Sequence, residues 1–376
     1  MRILACLFAA MLLVLAATKS TNTDDEFYLF GMGLRDKYIY KQGKLYCIAT
    51  QQCVAKFAYD EQTIIPWEYK VVLKDNGKSI EIYENEKGVF INNDGQVQKM
   101  TAGEILNLPN FEEFGANSKV LRVLHHEVLI NITEQGPVPN IFTYNRPWLR
   151  DAAVMTMVLE KTGNLNLIDK WAESLDYIYD QNNETKEPDN LGQLLYILGA
   201  VGKNNHKLIS EVLHEVERLE SKYGYVNGLT DEQFMPYYQS LWLDLGLKKL
   251  GINREIRWPQ KKDEYSTTFW YGGYRCQAAE TINILEKDRQ FINQIVGKKD
   301  PYPYLAWAKA NFFNTSMPYP INLHRYPLSY EAEASQAKIE KIKWVSNRLF
   351  EENTSAPHGW AAAEMFLYLH SHPSSI

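Results

Sequence analysis

The stretch Arg146-Pro147-Trp148-Leu149-Arg150-Asp151, running straight into the helix-spaced apolar segment Ala152–Lys161, decides how this chain reads. A polar and aromatic cluster stands immediately ahead of a helix pattern, and the same texture recurs downstream. Glu187-Pro188-Asp189-Asn190 precedes Leu191–Val201, Tyr237-Tyr238-Gln239 precedes Ser240–Leu250, and Tyr265–Trp270 with Tyr271 opens the run to Leu285. Tyr302-Pro303-Tyr304 precedes Leu305–Phe313, His324–Ser329 precedes Tyr330–Lys343, and Pro357-His358-Gly359-Trp360 precedes Ala361–Leu369. Plainer amphipathic runs, Leu167–Gln181 and Lys207–Leu219, alternate with the first of these. A chain that folds back and forth between helices brings every second helix start to one end of a bundle. One rim would then collect arginine, carboxylates, histidines and aromatics, the furniture of a sugar-binding cleft.

Upstream the texture changes. From Glu26 to about Val97 the chain is rich in β-branched and aromatic residues interrupted by turn signals. Lys37–Tyr46 reads as a hairpin turning at Gln42-Gly43. Glu68–Leu73, Ser79–Tyr83 and Val89–Asn92 read as short strands separated by Asp75-Asn76-Gly77 and Glu86-Lys87-Gly88. Residues 21–118 therefore form an expected β-rich N-terminal module, and 119–376 a helical domain of roughly nine to eleven helices. Residues 1–20 read as a secretory signal: Arg2, the apolar run Ile3–Ala17, then small residues to Ser20. That run is too short to span a bilayer, so the expected product is secreted, extracellular or periplasmic, with no membrane association after signal removal.

Composition bounds the function. The 376 residues are 45% hydrophobic and 23% charged, enough for a large core. A net charge of −6 favours neither nucleic acid nor an anionic membrane as partner. With 24 Tyr and 9 Trp the chain is well supplied with rings that stack on pyranoses while hydrogen-bonding at one edge; the same rings also build ordinary cores. Cys6 leaves with the signal, and Cys47 and Cys53 are close enough in sequence to close a small loop by a disulfide, leaving Cys276. Sequons stand at Asn131, Asn183, Asn314 and Asn353, so a eukaryotic source would make this a glycoprotein. No cofactor motif is present. His125-His126-Glu127 lacks the spacing of a metal site, since adjacent ligands point apart, and an ordinary surface or packing role is expected there.

Among candidate site residues, Arg150 and Asp151 at a helix start can grip vicinal hydroxyls, guanidinium donating and carboxylate accepting. A local ion pair at the helix terminus is the plainer alternative. Glu187, held extended by Pro188, is placed to act as general acid if buried. Asp189 is either an N-cap or a sugar ligand beside Asn190. Glu331 and Glu333, two apart on an expected helix, diverge by about 200°, so at most one of them faces the rim; an anion in a first turn suits a base or nucleophile. Tyr144, Trp148, Tyr304, His358 and Trp360 would line the cleft.

The heptapeptide Pro147-Trp148-Leu149-Arg150-Asp151-Ala152-Ala153 resembles the Trp-Pro-Arg-Asp-Ala signature of six-hairpin glycosidases, the α/α-toroid group that includes glucoamylases and trehalases, with Leu149 where the signature has proline. Glu187–Gln193, Tyr302–Trp307, Tyr326–Gln336 and Ala356–Trp360 are similar to segments of a secreted bacterial-type set in that group. The resemblance implies a mainly α fold, an α/α-hairpin toroid, complete or trimmed, behind the β-rich module. It also implies that Arg150-Asp151 binds sugar at the cleaved bond. The expectation is an exported glycoside hydrolase acting on an oligosaccharide or polysaccharide through Glu187, Glu331 and Asp151. A non-catalytic carbohydrate-binding protein, or a polysaccharide lyase or isomerase, is the alternative.

Overall fold

The computed structural model describes residues 26–101, 103–182, 185–230, 233–260, 322–324, 326–332 and 336–371. The signal segment, Tyr304, Glu333, Cys276 and the expected helices between Tyr265 and Phe313 lie outside them.

Two antiparallel sheets form the N-terminal region. The first runs β1 (Phe27–Phe30), β2 (Tyr38–Lys41), β3 (Lys44–Cys47), β4 (Cys53–Lys56). The second runs β5 (Glu61–Ile65), β6 (Lys70–Asp75), β7 (Lys78–Asn85), β8 (Gly88–Asn93), β9 (Gln96–Thr101). Within each sheet every strand pairs with its successor, and the tightest connections are two-residue turns. Gln42-Gly43 and Asn76-Gly77 both hold positive φ at two successive residues, 51° and 67° in the first and 48° and 80° in the second. That backbone matches the twist of the flanking strands.

The expected Cys47–Cys53 disulfide is corrected here: both cysteines are free. Across the β3–β4 pair Cys53 stands opposite Tyr46, not Cys47. Neighbours along a strand point to opposite faces, so the two sulfurs face apart.

All four residues of β1 are buried, and they meet the first long helix, α1 (Ser118–Ile130). The His126 ring stacks on Tyr28 and Tyr69 at 5.0 and 5.7 Å, and its Nε2 lies 3.0 Å from the Leu29 carbonyl. His125, His126 and Glu127 are fully buried. Strands and helices share one hydrophobic core.

The other α-helices among the described residues are α2 (Leu149–Thr162), α3 (Asp169–Ser174), α4 (Asp189–Ala200), α5 (Lys207–Tyr223), α6 (Pro236–Leu250), α7 (Gln336–Val345), α8 (Asn347–Glu351) and α9 (Gly359–Ser371). Their ends carry local causes. His206 caps α5 by accepting from the Leu208 N–H, and Pro236 opens α6 where no backbone donor is needed. α4 and α6 form the closest pair. A Cβ on Gly192 would sit 2.1 Å from the Trp242 backbone, and one on Gly246 would meet the Gly192 carbonyl at 2.4 Å. Only glycine permits that approach.

The toroid expectation is corrected: the protein is mixed α/β, with a β-rich N-terminal region of two antiparallel sheets followed by helices. Among the described residues the helices pack as an open row, α1 on α9, α9 on α2, α2 on α4 and α4 on α6. The expected outer helix Leu167–Gln181 shrinks to the six residues of α3, because Leu175 turns extended at ψ 133° and the chain runs on as a loop. A toroid needs a full outer helix between each inner pair, and between α2 and α4 there is none.

Candidate active site

The starts of α2, α4, α6 and α9 are linked by side chains, beginning with Arg150. Its Nη2 donates to Glu187 Oε2 at 2.6 Å and its Nε to Asp189 Oδ2 at 3.1 Å, tying the start of α2 to that of α4. Asp189, fully buried, accepts also from Gln193 Nε2 at 2.8 Å and from Thr230 Oγ1 at 2.9 Å. Gln239, near the start of α6, donates to the same Thr230 hydroxyl at 3.0 Å. Asn190 is committed as well: its Oδ1 accepts from the Asp180 N–H and its Nδ2 donates to Asp180 Oδ2 and Gln193 Oε1. These groups make a buried frame. Asp189 faces inward and gives α4 no side-chain cap; Pro188 holds the cap position. Glu187 is engaged with Arg150, and a carboxylate held by a guanidinium is a poor proton donor.

On the other side of Arg150 the chemistry opens. Asp151 is buried, and its Oδ1 accepts no hydrogen bond among the described residues. It lies 4.0 Å from His358 Nε2, and Glu331 Oε2 lies 3.7 Å from the same nitrogen. These two carboxylate oxygens are therefore at most ~8 Å apart, close enough to serve one substrate bond.

Their environments differ. Burial, opposed by Arg150 and reinforced by the charges of Glu331 and Asp180, pushes Asp151 up to about 8. The Glu331 side chain is 38% exposed, more open than Asp151, although the oxygen it turns toward His358 is buried. His358 caps α9: its Nδ1 accepts the Ala361 N–H at 3.3 Å, which leaves the proton on Nε2, aimed between the carboxylates. Burial holds His358 down to about 3, so the ring is neutral. Tyr144 sits beside both acids, its hydroxyl pushed up to about 12 by burial and then by Glu331 and Asp151.

Glu331 reaches this place by a route the periodicity did not suggest. The expected helix Tyr330–Lys343 begins only at Gln336. Glu331-Ala332 instead pair with Thr354-Ser355 as a short antiparallel bridge. Trp148 and Trp360 are half-buried at the starts of α2 and α9. Tyr237 and Tyr238 belong to the core, not to a rim.

Asp180 is the residue that sequence reasoning missed. It accepts the Leu149 N–H at 2.8 Å, capping α2 from a distant loop, and burial pushes it up to about 7. Embedded in an apolar-periodic run, it offered no signal. A groove of about 370 Å³ lies beside it, lined by Arg146, Leu149, Trp171, Tyr177 and Asp180. Tyr177 is 57% exposed. Asn131, an expected sequon, is fully buried and hydrogen-bonded to the Glu127 carbonyl, so it presents no glycan site in the fold. Among the described residues no group of His, Cys, Asp and Glu has metal-binding geometry, and no helix is long and apolar enough to cross a membrane.

Compared with protein-family models, curated proteins and solved structures, the chain matches none. The resemblance to six-hairpin glycosidases is therefore corrected: a local heptapeptide likeness is not accompanied by the family's fold or by a family match.

Proposed function

We propose that this chain is an exported glycoside hydrolase in which Asp151 acts as general acid and Glu331 as general base or nucleophile. One observation carries the reading: two carboxylates in contrasting environments converge on the Nε2–H of a neutral histidine. Asp151, protonated at neutral pH, would deliver its proton to the leaving oxygen of a glycosidic bond. Glu331, the more exposed of the two, would activate a water or attack the anomeric carbon. His358 would hydrogen-bond a sugar hydroxyl or steady the carboxylate that forms. The Arg150–Glu187–Asp189 frame holds Asp151 by holding its helix turn. The groove by Tyr177 offers an aromatic face and the charged groups Arg146 and Asp176 to the rest of an oligosaccharide. The apolar N-terminal run and the acidic net charge support an exported protein that does not act on nucleic acid.

The test is product release from a broad oligosaccharide panel followed by mass spectrometry, with wild type beside Asp151→Asn and Glu331→Gln. Cleavage by wild type alone supports the pair, and the anomer of the first product separates inversion from retention. Cleavage undiminished in both variants refutes the assignment. Binding without turnover by wild type would make the chain a carbohydrate-binding protein.

A further inference from the structure

We infer that Glu127 is the positioning residue of this site, a buried carboxylate on α1 that fixes the two segments carrying Glu331 and His358. Its Oε1 accepts the Leu328 N–H at 2.6 Å and its Oε2 the Ser329 N–H at 2.9 Å, while the Ser329 hydroxyl also donates to Oε2. The same hydroxyl accepts the His358 N–H at 3.1 Å. One carboxylate thus sets the segment that ends in Glu331, and through Ser329 it sets the backbone of His358.

A turn further along α1, Asn131 Nδ2 donates to the Pro357 carbonyl at 3.4 Å, and Asn140 Nδ2 donates to it at 2.6 Å. The Gly359 N–H donates to the Pro139 carbonyl at 2.7 Å. His358 is therefore pinned on both sides. Glu331 depends on Glu127, together with the short pairing of 331–332 with 354–355.

The chemistry suits a fixed acceptor. Three donors converge on one carboxylate that is fully buried. An amide in its place would turn an NH2 toward a backbone N–H, setting donor against donor. The consequence falls on geometry, since Glu127 touches neither Asp151 nor substrate. Displacements of an ångström in catalytic groups cost about 100-fold in rate.

Glu127's role rests on the reading of Asp151, Glu331 and His358 as the site, so the experiment has two independent arms. The first records the imidazole nitrogens of His358 by NMR in the full chain, the resonance being assigned by its loss in His358→Asn. Wild type, Glu127→Gln and Ser329→Ala are compared, with Glu84→Gln as a destabilised control from the β region. Movement of the His358 signal in Glu127→Gln and Ser329→Ala, but not in Glu84→Gln, is expected. An unmoved signal in the folded Glu127→Gln protein, or in Ser329→Ala if Glu127→Gln does not fold, overturns the inference whether or not any sugar is cleaved. The second arm measures kcat and KM on a substrate from the oligosaccharide panel. Glu127→Gln is expected to lower kcat about 100-fold with KM within about 3-fold. An unchanged kcat also overturns it. Absence of turnover in wild type would remove the glycosidase reading and leave the NMR arm standing.

Discussion

Among the described residues two buried arginine–carboxylate centres can be compared, one between the sheets and one at the helix starts. In the first, Glu84 accepts the Gly31 N–H, the Met32 N–H and Arg35 Nη1 at 2.7–2.8 Å, and Arg35 donates onward to the Asn85, Glu86 and Glu104 carbonyls. Both Glu84 oxygens are used inside the fold. The second centre, Arg150 with Glu187 and Asp189, is closed in the same manner, yet next to it stands Asp151 with a buried oxygen accepting no hydrogen bond among the described residues. A closed pair fixes a fold. A buried acid with acceptor capacity to spare, near a second carboxylate and a histidine, is what the proposed activity would draw on.

The contrast is broken most severely at Asp151. Asp151→Asn keeps size and polarity but removes the transferable proton, and turnover is expected to fall by about 10²–10⁴-fold. Thermal stability should not fall, since the variant no longer buries an ionisable group. Turnover kinetics beside a melting curve check both halves, and loss of stability in parallel with activity would make Asp151 a structural residue.

Glu84→Gln gives the opposite pattern. It strands a guanidinium that is 1% exposed, and removing one partner of a buried pair costs about 3–5 kcal/mol. Chemical denaturation should show that loss, while protein that remains folded keeps its turnover. A Glu84→Gln enzyme that is stable but inactive would erase the distinction between the two centres.

Much of this was legible in the chain. The turns at Gln42-Gly43 and Asn76-Gly77 follow from local chemistry, and so do the helix starts at Arg150-Asp151 and His358-Gly359. What was not legible depends on residues remote in sequence. The run Leu167–Gln181 has helical spacing, but its loop is held by Asn190 and Leu149 around Asp180, contacts that periodicity cannot carry. Nor could periodicity show that Arg150 reaches Glu187 across 37 positions. Glu331 reads as a helix residue until Glu127 captures the two N–H groups just before it. The Arg-Asp heptapeptide suggested a family, yet helix packing is set by residues such as Gly192 and Gly246 that lie outside it.

The pH dependence of stability probes the buried acids of the helical region. Asp151 is raised to about 8, and Glu127 and Asp180 to about 7, in each case chiefly by burial. A raised carboxyl binds its proton in the folded chain where the unfolded chain has released it. Its stabilisation is therefore complete below about pH 4 and is lost as pH rises through 7–8. From these three groups stability should decline between about pH 4 and pH 8. Urea unfolding across that range checks the slope. Asp151→Asn should flatten it, raising stability more at pH 8 than at pH 5; an unaltered slope would remove Asp151 from the titrating set.

The smallest effect sharpens the comparison at His358, which has two duties. Its Nδ1 caps α9 and its Nε2–H points between the acids. His358→Asn divides them, since asparagine is among the best N-caps and lacks the distal donor. The melting temperature should change by no more than about 2 °C, because the capping bond is replaced in kind. Turnover should fall about tenfold, the order of one lost hydrogen bond to a developing charge. A donor near a carboxylate favours its anion, so losing that donor moves the Asp151 titration upward, and the alkaline limb of the rate profile should follow it by a fraction of a pH unit. A limb that stays in place while the rate falls would assign His358 to the sugar, not to Asp151.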